Sequence, residues 1–145
     1  MASTSSRIDF TEPIPKVVER LKEEHRALEV KLEEIAAACK TDPTSAVSQL
    51  QAVRKQILHH SVEEEARIIR VILQRLKPDS AESVRIMQEH RWVVEFLERT
   101  LVALRNAAPE KIRKDVLKFV EDLRSHFEEE EREVFPLALR ASRAG

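Results

Sequence analysis

The chain has one glycine among its 145 residues, and it is the last of them. Phosphate-cradling loops and dinucleotide fingerprints need turns without a Cβ, so those nucleotide-binding devices are excluded. Tyrosine is absent, which removes any phenolate ligand or tyrosyl radical. The single cysteine, Cys39, has no partner for an internal disulfide and suits a reducing compartment. No apolar run nears the roughly 18 residues that a membrane span needs. Residues 1–7 are polar, so no secretory leader is expected. A net charge of −1 gives no general attraction to nucleic acid or to an anionic membrane. A cytoplasmic protein with neither of those partners is the expectation.

Charged residues make up 35% of the chain and apolar ones 42%, a mixture typical of amphipathic helices. The length fits one domain with a real core. Residues 1–14 read as a polar arm and 15–142 as the folded domain, with Pro15 suited to a first helical turn. Val18, Leu21, His25, Leu28, Leu32 and Ile35 then form an inward stripe. Asp42 can cap, and Pro43 can open, a second helix striped by Leu50, Val53, Ile57, His60, Glu64, Ile68 and Val71.

A break at 77–80, with Asp79 and Glu82 spaced as a capping box, precedes a third stripe. It reads Ile86, His90, Val93 or Val94, Leu97, Leu101 and Leu104. After Ala108-Pro109 comes the fourth: Val116, Phe119, Leu123, His126, Glu130, Val134 and Leu137. Pro136 is expected to kink or close that helix. Nothing reads as a strand. Four long helices on short loops predict an all-α, up-down-up-down antiparallel four-helix bundle.

Two internal echoes suggest a hairpin used twice. Glu24-His25-Arg26 returns as Glu89-His90-Arg91, and His60, Glu64 and Glu65 return as His126, Glu130 and Glu131. In each His-x-x-x-Glu pair the two side chains stack on one helical face, and that face is the apolar one. Buried imidazoles and carboxylates are costly unless paired or bound to a metal.

Counting from the loops, His25 and His60 each lie about 17 residues from the first turn, and His90 and His126 about 18 from the third. One layer of the core should therefore receive four imidazoles and two carboxylates. The candidate metal ligands are His25, His60, Glu64, His90, His126 and Glu130. Nitrogen and carboxylate donors suit iron, manganese or zinc. Six of them exceed a tetrahedral zinc site and suit two adjacent ions, with the histidines terminal and the glutamates bridging. Glu65 and Glu131 are candidates to orient a histidine. His59 reads as a surface residue and Cys39 as a small buried thiol. Trp92, Phe96 and Val102, off the main stripe, are left to packing, an entry path or a dimer face.

These residues resemble the hemerythrin-like, or HHE cation-binding, family. Its pattern is a lone histidine on the first and third helices and His-x-x-x-Glu on the second and fourth. The stretch His126-x-x-x-Glu130-Glu131-x-x-x-Phe135-Pro136 is similar to the most recognisable part of that family. The resemblance implies a non-haem centre of two irons, with manganese or zinc as substitutes, that meets O2, peroxide or nitric oxide. Oxygen-carrying members have a fifth histidine, four residues from the one on the third helix. Here those positions are Ile86 and Val94, which cannot ligate. The resemblance therefore implies a more open centre than a carrier's, in a monomer or homodimer. An iron-sensing or iron-holding module stays open as the alternative, and a metal-free helical interaction bundle is the third reading.

Overall fold

The computed structural model describes residues 8–76 and 81–144. Four helices account for nearly all of them: α1 (Ile14–Thr41), α2 (43–75), α3 (81–104) and α4 (109–144). Among the described residues there is no strand, and no helix is long and apolar enough to cross a membrane. The expected capping box at Asp79 and Glu82 lies outside the described residues.

Local sequence explains the boundaries. Pro15 sits in the first turn of α1, where its missing N–H costs nothing. Asp42 ends α1 and starts α2 at once. Its N–H donates to the Ala38 carbonyl at 2.7 Å, and its carboxylate accepts from the Ser45 N–H at 3.3 Å. Pro43 and Pro109 open α2 and α4 in the same way.

Three of the helices contain one wide turn with i→i+5 hydrogen bonding: Glu64–Ile69 in α2, Phe96–Thr100 in α3 and Glu130–Val134 in α4. A wide turn takes in one extra residue and shifts the phase of everything after it. The expected inward Val71 and Leu137 are accordingly only half-buried. Ile69 and Ile72 on α2, and Phe135, Ala138 and Ala141 on α4, are buried instead. Pro136 does not close α4, which runs on to Ala144. The wide turn just before it lies where proline removes a backbone donor.

The core has two apolar clusters. One contains Leu28, Leu32, Leu50, Ile57, Phe119 and Phe127 among others. The second contains Val18, Leu21, Ile68, Ile72, Ile86 and Phe135 among others. Each fully buried side chain of this size contributes roughly 1.5–3 kcal/mol by leaving water. Along every helix, the residue that separates the first cluster from the second is a histidine: His25, His60, His90 or His126. Residues 8–13 lie against α2, where the buried Arg67 guanidinium donates to the carbonyls of Asp9 and Glu12.

Candidate metal centre

Between the clusters lie six polar side chains, the least buried of which, His126, is 6% exposed. Their ligand atoms form two groups: His25, His60, Glu64 and Glu130, and then His90, His126, Glu64 and Glu130. Within each group those atoms lie within 4.8 Å of one another. Donors around one ion with bonds of about 2.1 Å are roughly 3 to 4 Å apart, so the spacing is that of a coordination shell. The structure thus brings all six candidate ligands together, and the two glutamates belong to both groups.

The carboxylates divide their oxygens between the groups. Glu64 Oε2 lies 2.8 Å from His60 Nε2 and 3.1 Å from His25 Nε2, whereas its Oε1 lies 3.0 Å from His90 Nε2. Glu130 repeats the arrangement, with Oε1 3.1 Å from His25 and Oε2 at 3.3 and 3.1 Å from His90 and His126. Each glutamate therefore spans two positions, one oxygen to each.

Every imidazole is held from behind. Nδ1 donates to Glu131 from His25 at 2.6 Å, to Glu24 from His60 at 2.7 Å, to Glu65 from His90 at 2.9 Å and to Glu89 from His126 at 2.5 Å. A carboxylate only accepts, so the Nδ1 atoms carry the protons and the Nε2 atoms face the centre. This outer carboxylate fixes the ring and raises its basicity as a ligand. The wide turns help, because Glu64 and Glu65, and likewise Glu130 and Glu131, are neighbours that serve different histidines.

The electrostatics follow from the same contacts. Burial alone would push the imidazoles down, yet the carboxylates more than offset it. Hydrogen bonds with Glu130 and Glu64 raise His25 to about 9. The charge of Glu64 and the bond to Glu24 raise His60 to about 10. Bonds to Glu130, Glu64 and Glu65 push His90 up to about 12. The charge and hydrogen bond of Glu130 raise His126 to about 9. Burial works against ionised Glu64, but His60 and His25 hold its carboxyl well below the usual range. Burial and the charge of Glu64 raise Glu130, yet His126 and His25 bring it out lowered.

One observation tests whether a cation fits. His60 Nε2, His126 Nε2, Glu64 Oε1 and Glu130 Oε1 are fully buried and have no hydrogen-bond partner among the described residues. Unsatisfied buried polar atoms cost free energy. All four belong to the two ligand groups, and a cation is the partner that converging lone pairs lack. The donor set fits one.

A family model, the hemerythrin HHE cation-binding domain, matches residues 16–138. The chain belongs to that family. The HHE match spans all six buried ligands and the carboxylates behind them. No match was found among curated proteins or solved structures.

Several residues of this HHE domain escaped sequence reasoning. Glu24 and Glu89 were visible as a repeat, but not that each would serve the histidine of a neighbouring helix. The rings of Phe127 and Phe135 stack on either His25 neighbour position, with centroids 4.2 and 5.6 Å from the imidazole. Arg20 and Arg26 pair with the outer carboxylates Glu24 and Glu131. His59 is half-buried and belongs to neither ligand group. Cys39 lies in the first apolar cluster, where burial pushes its thiol up. Trp92 and Phe96 pack on Phe119, whereas Val102 is exposed.

Proposed function

We propose that this HHE domain holds two iron ions and binds or reacts with a small oxidant, O2 or peroxide, or with nitric oxide. The observation that carries this reading is the division of Glu64 and Glu130 oxygens between two histidine pairs. His25 and His60 would hold one ion, His90 and His126 the other, and the glutamates would bridge. Four protein donors per ion leave room for an exchangeable position on a five- or six-coordinate metal. An iron pair there would supply one-electron redox chemistry and Lewis acidity.

The chain's own contributions are clear from its contacts. The outer carboxylates keep each Nδ1 proton in place and each Nε2 turned inward. Phe127 and Phe135 wall His25 and exclude water from that side. Cys39 plays no part, since its thiol contacts the Arg113 carbonyl at 3.9 Å instead.

We further infer an antiparallel up-down-up-down bundle built as a pseudo-repeat. Supporting it, Arg20 pairs with Glu63 and Glu24 with His60, so α1 positions rise as α2 positions fall. On α4, Glu131, Arg124 and Arg113 meet Arg26, Glu33 and Cys39, in the same opposed order. The exchange of outer carboxylates supports the repeat: Glu24 serves His60 as Glu89 serves His126.

Metal analysis of protein from iron-supplied cells should find two irons per chain, and His126→Ala should lose metal. Iron below about half an equivalent per chain would leave the metal-free bundle standing, since a ligand set this complete binds tightly. Full occupancy in His126→Ala would show that the ligand assignment is wrong. Adding peroxide or nitric oxide to the loaded protein then separates reaction from an iron-holding role: no spectral change with either would favour holding.

A further inference from the structure

The two halves of the centre carry the same ligands but sit in different surroundings. On the His25/His60 side, Phe127 and Phe135 stack over His25, which has no exposure. The residues 66 positions earlier, in the other half of the repeat, are Ser61 and Ile69, so no ring is supplied there. The outer carboxylates differ too. Glu24 is tied by Arg20 and Glu131 by Arg26. Among the described residues, Glu65 and Glu89 have no Arg or Lys within ion-pair distance, only their histidines.

Both larger openings near the centre fall on that second side. A solvent-open cavity of about 290 Å³ is lined by Glu89, Trp92, Asp122, Ser125, Glu129 and the ring of His126. An apolar groove of about 570 Å³ runs past Glu65 between Val62, Leu73 and Met87. The first has a candidate ligand in its wall and three carboxylates around it. Lys118 and Arg85 pair with Asp122 and Glu129, but across exposed contacts that contribute little and exchange readily. The second is apolar and reaches only the carboxylate behind His90.

We propose that the two cation positions are unequal, and that a divalent cation enters and leaves through the acidic mouth over His126. The His90/His126 position is then the exchanging one, and the His25/His60 position is closed in by rings and arginines. This rests on the two-ion reading above, and its test must separate the two.

Cobalt(II) serves as the probe, with loading followed by absorbance and release followed after excess chelator. The wild-type protein should release its two ions in two phases of equal amplitude. Ser125→Trp, which fills the mouth, and Asp122→Asn with Glu129→Gln, which removes its charge without bulk, should each slow loading. The expected effect is about tenfold, the low end of what a charged cleft does to an ion's arrival. Final occupancy should be unchanged, and Leu73→Trp in the apolar groove should load at the wild-type rate. Release of both ions in one phase, or unchanged loading in both mouth variants, would overturn the proposal. Failure to bind two cobalt ions at all would instead remove the two-ion reading beneath it.

Discussion

His25 has no exposed surface, two aromatic rings near its faces and carboxylates at both nitrogens. Its ordinary value is 6.5, and here it rises to about 9, as His126 does, with His60 at about 10 and His90 at about 12. A group raised on folding contributes stability that is fully present below the unfolded value and lost as pH rises through the folded one. The metal-free protein should therefore lose stability from pH 6.5 upward through 9. Glu64 and Glu130 are lowered, so their contribution is lost on acidification below the ordinary 4.5. Metal needs a neutral Nε2 and should gain affinity as pH rises over that same alkaline window. Thermal melts of the metal-free protein and metal titrations between pH 6.5 and 9 should thus slope in opposite directions. Parallel slopes would show that the imidazoles are not charged before metal arrives.

The six inward ligands were legible because helical spacing alone aims them. The residues behind them were not, since Glu24 is adjacent in sequence to His25 yet bonds His60 across helices. Nothing local reveals such a crossing.

Among the elements, the wide turns changed the most. Periodicity of 3.6 carried the inward stripes of α1 and α3 to their ends. On α2 and α4 it held as far as Glu64 and Glu130 and then slipped by one residue. No sequence period announces an i→i+5 turn, because it is set by where the ligands must point and by what packs beyond them. The slip can be measured. Ile72→Ala should cost about 2–5 kcal/mol and Val71→Ala less than about 1 kcal/mol, as a buried and a half-buried truncation differ. Denaturant unfolding of the two variants checks it. Equal losses would mean that α2 keeps its α-helical phase throughout.

For the molecule as a whole, a polar layer interrupts an otherwise continuous core. Two apolar clusters fold the chain, and the layer between them depends on what occupies it. Ligand binding to the native state alone raises stability, so two equivalents of ferrous ion under anaerobic conditions should raise the melting midpoint by about 10 °C. A chelator should reverse the gain. An unchanged midpoint would mean that the layer is satisfied without metal.

Four raised imidazoles have a consequence for how the layer changes occupant. Four imidazolium protons carry the same positive charge as two divalent cations. Trading one set for the other is electroneutral at the centre, so the surrounding carboxylates meet the same total charge before and after. The empty scaffold is thus held in its loaded shape by protons, and an incoming ion replaces a placeholder rather than rebuilding the core.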